Sequence, residues 1–163
     1  MKTAVIVGNP KAKSRTLDAG LLVARKLTGR DPDMVVDVVE LGAGLLGWGD
    51  IGVSDSVQAV QRMDVLIVAS PTYKATYTGL LKLYLDQFPA DGLLGVTAFP
   101  LMLGAGPAHA MAPDLLLKPV LVELGATCPS AGLYLIDKSF AEDPRLDAWL
   151  ARARGHLPPA LAA

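Results

Sequence analysis

Hydrophobic and polar positions divide the chain into short apolar runs and longer segments in which apolar residues recur every three or four positions. The short runs, rich in β-branched residues, predict buried strands over residues 3–8, 34–40, 65–69, 98–103 and 132–136. The longer segments predict helices over residues 14–27, 54–62, 79–88, 113–124 and 144–154. Strand and helix therefore alternate from end to end, which is typical of an α/β sheet with parallel strands.

Five strands alternating with five helices predict a flavodoxin-like, doubly wound fold with parallel strand order 2-1-3-4-5 and helices on both faces. No internal repeat or linker interrupts the pattern, so we expect one domain over residues 1–163, with a frayed tail over residues 156–163. In such folds the ligand lies beyond the carboxyl ends of the strands. The topology therefore predicts one pocket, formed by the loops over residues 8–16, 70–79 and 104–110.

The first of these loops has the residues of a phosphate site. It reads Gly-Asn-Pro-Lys-Ala-Lys-Ser-Arg-Thr over residues 8–16 and is followed by a predicted helix whose N-terminus attracts anions. Ser14 and Thr16 can donate hydroxyls and Arg15 can supply charge, although Ser14 as a plain helix cap and Arg15 as a solvated residue are the alternatives. Neither the dinucleotide pattern G-x-G-x-x-G nor the triphosphatase pattern G-x-x-x-x-G-K-[ST] is present here. The loop predicts a site for one terminal phosphate, as in flavin mononucleotide (FMN).

Charge and composition narrow the function further. The net charge of −1 gives no indication of a nucleic-acid or anionic-membrane partner. The uncharged stretch over residues 92–111 is long enough for a membrane span, but glycines and prolines such as Pro100 interrupt it, so we expect a buried strand between loops. The apolar run at the start is too short for a secretory signal, and we expect a cytoplasmic protein with no membrane partner.

The loop after the third strand carries the most specific pattern. Residues 71–82 read Pro-Thr-Tyr-Lys-Ala-Thr-Tyr-Thr-Gly-Leu-Leu-Lys, a rigid turn with aromatic residues that suits a flat ring held by backbone N–H groups and stacking. This segment resembles the P-[TV]-Y-x-x-x-Y-[ST]-G-x-L-K signature of the NAD(P)H-dependent FMN reductases. The first loop resembles that family's G-S-P-R-x-x-S-R-[ST] phosphate loop, and residues 117–121 resemble its L-K-P-V-L helix. The resemblance covers nearly the whole chain and is greatest to the small flavin reductases of two-component alkanesulfonate monooxygenase systems.

The resemblance implies an FMN-dependent NAD(P)H oxidoreductase of the flavin reductase type. Hydride would pass from NADPH or NADH to FMN and then to free flavin, a quinone or another small-molecule acceptor. The phosphate of FMN would be bound by Ser14, Arg15 and Thr16, with Asn9 at a position where the family usually has Ser. Lys13 belongs to the same predicted cofactor site; together with Lys11 it can contact the 2′-phosphate of NADPH, although solvated loop lysines are the alternative.

The resemblance also implies where the rest of the flavin binds. The ring and ribityl chain would lie against Pro71, Thr72, Tyr73 and Lys74. The opposing wall would be formed by Gly104, Ala105 and Gly106.

The flavin itself would carry the hydride chemistry, so we expect no catalytic side chain. No His, Cys or carboxylate falls within residues 71–81. His109, at the edge of the third loop, either touches flavin or nicotinamide or has a structural role. Cys128 is expected to be buried and inert, and with two His and one Cys the sequence assembles no metal site.

The resemblance and the apolar surface of the helix over residues 79–88 predict a homodimer or homotetramer through that helix, with Tyr84 as a candidate interface residue. A flavin-dependent monooxygenase is a candidate partner. Leu115 stands where the alkanesulfonate-linked reductases have a Tyr in an inserted helical bulge, so we expect that bulge to be absent.

Two other functions fit an FMN site. A flavodoxin-type electron carrier would usually have a markedly acidic surface, whereas this chain has 16 acidic and 15 basic residues. A non-catalytic FMN-binding protein with a sensing or scaffold role would bind FMN without oxidising NAD(P)H.

Overall fold

A parallel sheet of five strands organises the protein. The computed structural model describes residues 1–159, and its strands follow the order β2-β1-β3-β4-β5, which confirms the predicted flavodoxin-like topology. The strands are β1 (Thr3–Val7), β2 (Met34–Asp37), β3 (Val65–Pro71), β4 (Thr97–Gly104) and β5 (Leu133–Ile136). The helices are α1 (Arg15–Thr28), α2 (Ile51–Val60), α3 (Gly79–Leu85), α4 (Lys118–Glu123) and α5 (Pro144–Ala153).

Helices cover both faces of the sheet because successive strand residues point to opposite sides. Val5 and Val7 of β1 pack with the buried faces of α1 and α5, where Trp149 meets Phe99 edge to face. Ile6, between them, packs on the other side with α2, α3 and α4. Every residue of β1 and β3 is buried, which explains why these strands, apart from Thr3 and Ser70, are apolar on both faces rather than alternating.

The connection between β2 and α2 differs from the prediction. β2 ends at Asp37, not at residue 40, and 3₁₀ turns follow over Val38–Leu46. α2 begins at Ile51 because the side chain of Asp50 accepts a hydrogen bond from the N–H of Val53 at 3.0 Å and caps the helix there.

A π-helical turn over Pro113–Leu117 precedes α4 and overturns the expectation that the helical bulge is absent. The N–H of Lys118 donates to the carbonyl of Pro113, five residues back. Pro119 has no N–H to donate to Leu115, and its ring would press on the Leu115 carbonyl in a regular α-helix. A wider turn ahead of Pro119 relieves that conflict.

Tyr84 is a core residue of its own chain, so the prediction that it lies at a subunit interface is wrong. It is fully buried, contacts the ring of Phe88 edge to face, and shares a 2.8 Å hydrogen bond with the hydroxyl of Ser56. Burial raises the pKa of Tyr84 to about 12. Most of the apolar surface of α3 therefore fills the core between the sheet and α2.

The predicted tail over residues 156–163 lies partly outside the described residues, which end at residue 159. Within them, His156 ends a 3₁₀ turn and Leu157 packs against the core beside α1 and α5. The single-domain organisation over residues 1–163 stays a prediction. None of the helices within residues 1–159 is long and apolar enough to cross a membrane.

Replacing Gly8 by Ala is expected to destabilise the fold by about 1–3 kcal/mol, since a Cβ there would lie 2.3 Å from the Cβ of Leu81 in α3. Chemical denaturation measures the change in the free energy of unfolding. The matched control is Gly79→Ala, because a Cβ at Gly79 meets no atom within 4 Å and a helix favours Ala. Equal stabilities for the two variants would contradict the close packing of the first loop on α3.

Candidate functional site

A cavity of about 590 Å³ opens at the carboxyl ends of β1, β3 and β4, where the topology predicts a ligand. The predicted site residues that line it are Asn9, Lys13, Ser14, Arg15, Thr16, Pro71, Thr72, Tyr73, Gly104 and Ala105. Lys74 and Gly106, which were also predicted, do not line it. The lining also includes Lys11, Asp18, Leu103 and Asp137.

Two buried hydroxyls face the cavity at the N-terminus of α1. The Oγ of Ser14 accepts a hydrogen bond from the N–H of Leu17 at 3.3 Å, so Ser14 does cap the helix. The Oγ1 of Thr16, which is 1% exposed, accepts from the Nδ2 of Asn9 at 2.9 Å. In each case the bond uses a lone pair of the oxygen, so the hydroxyl hydrogen stays available to a ligand. Helix capping and ligand binding are therefore compatible at this loop.

The rest of the first loop is held by polar side chains beneath it. The Oδ1 of Asn9 accepts from the N–H of Lys11 at 2.9 Å. Lys13 has a φ of 51°, and its N–H donates to the Oδ2 of Asp37 at 3.2 Å. Burial raises the pKa of Asp37, and the Lys13 N–H lowers it by a smaller amount. Sequence reasoning did not select Asp37, although a carboxylate at the end of an apolar strand beside this loop is visible in the sequence.

Arg15 forms an ion pair across the cavity with Asp137, with 2.6 Å between the guanidinium nitrogen and the Oδ2. Asp137 directly follows β5, and its N–H donates to the carbonyl of Gly104 at 2.9 Å. Sequence reasoning missed Asp137. The available signal was again a carboxylate immediately after a buried strand at the carboxyl edge of the sheet.

The second loop extends the sheet before it turns. The N–H of Thr72 donates to the carbonyl of Leu103 at 2.7 Å, so it is not among the backbone N–H groups of this loop that are free for a flavin ring. Thr72 lines the cavity, and its hydroxyl is buried and has no hydrogen-bond partner within residues 1–159. A buried hydroxyl without a partner is costly unless a ligand or water satisfies it.

A tight turn follows, in which Tyr73 and Thr76 exchange backbone hydrogen bonds of 2.9 and 3.2 Å. Lys74 and Ala75 at its tip have φ angles of 51° and 70°, the left-handed region that non-glycine residues rarely adopt. The turn places the half-exposed ring of Tyr73 on the cavity and Lys74 away from it.

Thr78 and Ser70 connect the second loop to the first. The Oγ1 of Thr78 donates to the carbonyl of Gly8 at 2.5 Å and accepts from the N–H of Leu81 at 3.1 Å, so it caps α3 at the same time. The Oγ of Ser70 accepts from the N–H of Thr78 at 3.1 Å. These bonds are buried and hold the two loops in one rigid arrangement.

The opposing wall begins at Gly104, where a Cβ would lie 1.8 Å from the hydroxyl oxygen of Tyr134. That hydroxyl donates to the carbonyl of Gly106 at 2.8 Å and so fixes the wall. His109 is exposed in the turn that follows and does not line the cavity.

Cys128 is half-buried, and burial raises the pKa of its thiol to about 11, which keeps it neutral at physiological pH. Within residues 1–159 no three His, Cys, Asp or Glu side chains are grouped so that they could hold a metal ion.

Comparison with known proteins bears directly on this cavity. The family described as NADPH-dependent FMN reductase matches residues 1–141, which include every residue lining it. An FMN reductase (NADPH) of Escherichia coli K12 is 34% identical over 145 residues, which cover 84% of this chain and 74% of the relative. An NADH-dependent FMN reductase, SfnF, of Pseudomonas putida is 29% identical over 148 residues, covering 86% and 80% respectively.

The fold is also shared with a solved structure. The crystal structure of an NADH:FMN oxidoreductase in its apo form superposes with a TM-score of 0.85 at 31% sequence identity. The match covers 99% of this chain and 90% of that one.

Proposed function

The chain belongs to the NADPH-dependent FMN reductase family and is an NAD(P)H-dependent FMN reductase, and we propose that it holds FMN in the cavity at the carboxyl ends of β1, β3 and β4. The observation that carries this proposal is the pair of buried hydroxyls, Ser14 and Thr16, at the positive end of α1. Both have a hydrogen left to donate. A helix N-terminus with two free hydroxyl donors is suited to a phosphate group.

The other walls of the cavity fit the flavin. Thr72 lines the cavity, and rotation of its buried, partnerless hydroxyl toward the ring or the ribityl chain would remove the cost of burying it. The ring of Tyr73 and the small residues Gly104 and Ala105 line the cavity between the second and third loops, where a planar ring system could stack. Lys74 would contribute by shaping the turn after Tyr73, and Gly106 by shaping the opposing wall. Neither would contact the flavin.

FMN, when bound, supplies the hydride chemistry, and the protein binds and orients it. Pro71, Thr72, Leu103, Gly104 and Ala105 on the proposed ring side carry no ionisable side chain. Beside them lie Tyr73 and Asp137, and the carboxylate of Asp137 pairs with Arg15. His109 lies outside the cavity. We therefore assign no catalytic side chain and attribute the rate to positioning of the nicotinamide against the flavin.

The identities of the hydride donor and of the electron acceptor are further proposals. Relatives are named for both NADPH and NADH. Lys11 and Lys13 are exposed on the cavity rim and are the side chains we assign to a 2′-phosphate. We propose free flavin, a quinone or another small molecule as acceptor, a flavin-dependent monooxygenase as a possible consumer of the product, and a cytoplasmic location.

The function is tested by adding NADPH and then NADH to the purified protein with FMN and following absorbance at the nicotinamide and flavin bands. We expect the protein to catalyse oxidation of at least one donor together with reduction of FMN. Tight FMN binding without oxidation of either donor would favour the non-catalytic alternative. Slow oxidation with efficient transfer between two redox proteins would favour the electron carrier.

The phosphate site is tested by the double substitution Ser14→Ala and Thr16→Ala. Loss of two charge-assisted donors is expected to weaken FMN binding by roughly 2–4 kcal/mol, as measured by fluorescence titration. Riboflavin, which lacks the phosphate, serves as the matched ligand and should bind wild type and variant with similar affinity. If FMN affinity is unchanged, the phosphate lies elsewhere.

A second copy of the chain is the partner we propose for the surface around α4. Met111, Leu115 and Val122 are apolar side chains of this segment that are 60%, 64% and 52% exposed. This apolar surface, instead of Tyr84, is the contact that we propose in a homodimer or homotetramer.

Light scattering is expected to give a particle larger than the 17.1 kDa monomer, and Leu115→Glu should shift it toward the monomer without unfolding it. The matched control is Ile51→Glu, at a site that is 77% exposed but belongs to α2. A 17.1 kDa wild-type particle at micromolar concentration would exclude the proposed assembly.

A further inference from the structure

Arg15 places its guanidinium at the end of the cavity where we propose the FMN phosphate. That guanidinium already pairs with a carboxylate. The guanidinium of Arg15 lies 2.6 Å from the Oδ2 of Asp137, and both residues line the cavity. Lys11 and Lys13, on the rim, form no ion pair within residues 1–159. Among Lys11, Lys13 and Arg15, Arg15 is thus the cation whose charge is partly neutralised by a carboxylate.

The Asp137 side chain is not needed to build the sheet edge. Its backbone N–H makes the connection to β4, by donating to the carbonyl of Gly104 at 2.9 Å. Its carboxylate contacts Arg15 across the cavity. The fold therefore gains little from the charge at this position, whereas a phosphate held by Ser14, Thr16 and Arg15 would meet it directly.

We infer that Asp137 competes with the FMN phosphate for the guanidinium of Arg15 and so makes FMN an exchangeable ligand; this inference rests on the proposed function. A guanidinium pairs with a carboxylate or a phosphate through the same fork of N–H groups. The side chain of Arg15 is 59% exposed, and an exposed ion pair is weak enough for a phosphate to displace. Once displaced, the carboxylate repels the phosphate that replaced it, which favours dissociation.

An exchangeable flavin has a consequence for the reaction. An enzyme that retains FMN can only pass electrons outward, whereas one that releases it can supply reduced flavin itself as the product. Asp137 thus moves the protein toward the second behaviour through its charge, which acts on the guanidinium of Arg15.

The test is Asp137→Asn, which removes the charge but keeps the size of the side chain. At low ionic strength the variant is expected to bind FMN about three- to tenfold more tightly and to release it more slowly. Fluorescence titration gives the dissociation constants, and stopped-flow displacement gives the release rate. Riboflavin affinity should not change, which also shows that the variant has folded, and the gain for FMN should shrink at high salt.

Three control proteins sharpen the result. Asp147→Asn removes an exposed carboxylate that pairs with Lys26 at the far end of α1, at 3.2 Å, and should leave FMN affinity unchanged. Asp18→Asn removes a carboxylate that lines the cavity but does not pair with Arg15, and should have a smaller effect than Asp137→Asn. In an Arg15→Gln background, Asp137→Asn should lose most of its effect.

Several outcomes overturn the inference. Unchanged or weaker FMN binding in Asp137→Asn would show that the carboxylate does not compete, and an equal loss for riboflavin would show that it binds the ribityl chain instead. An equal gain from Asp18→Asn, or an undiminished gain in the Arg15→Gln background, would show that only the net charge of the cavity matters. Failure of the wild-type protein to bind FMN would instead contradict the proposed function.

Discussion

The close approach of Gly8 to Leu81 sets the distance between the two loops that form most of the cavity. A side chain at position 8 would collide with Leu81, so the end of β1 can lie directly on the first turn of α3. The hydroxyl of Thr78 then reaches the carbonyl of Gly8 and caps α3 in the same geometry. Because these contacts are buried, the first and second loops are held at a constant separation on either side of the cavity.

The polar groups of the cavity fall into two sets with different physical roles. Ser14, Thr16 and Asn9 are buried, mutually hydrogen-bonded or capping, and therefore preorganised for an anion. Arg15 and Asp137 are more exposed and form a pair that solvent and salt can weaken. In the function we propose, the first set would recognise the phosphate at little reorganisation cost, and the second would adjust how strongly that phosphate is retained.

Two irregular segments show how local chemistry bends a regular α/β fold. The turn at Lys74 and Ala75 holds non-glycine residues at positive φ beside the cavity, a conformation that survives because Tyr73 and Thr76 close it with backbone hydrogen bonds. The π-helical turn before α4 relieves the conflict that Pro119 would create in a regular helix. That turn also leaves Leu115 projecting into solvent.

Much of this protein is determined by the sequence itself. The buried strands and amphipathic helices specify the sheet and its order, because burial on both faces requires apolar runs and parallel strands require crossover helices. The loop over residues 8–16 and the motif over residues 71–82 predicted where the cavity lies, because loops that follow parallel strands meet at one edge of the sheet. The tertiary structure decided the pairings between segments that are distant in the chain. Asp137 reaches Arg15 and Thr72 gives its N–H to Leu103 only once β4 and β5 lie beside the first loop. Tyr84 fills the core and not an interface because its ring packs among the buried side chains on that side of the sheet. Its hydroxyl shares a hydrogen bond with the hydroxyl of Ser56 in α2. Periodicity reports that a face is apolar, but which surface covers that face depends on neighbours that the local sequence does not contain.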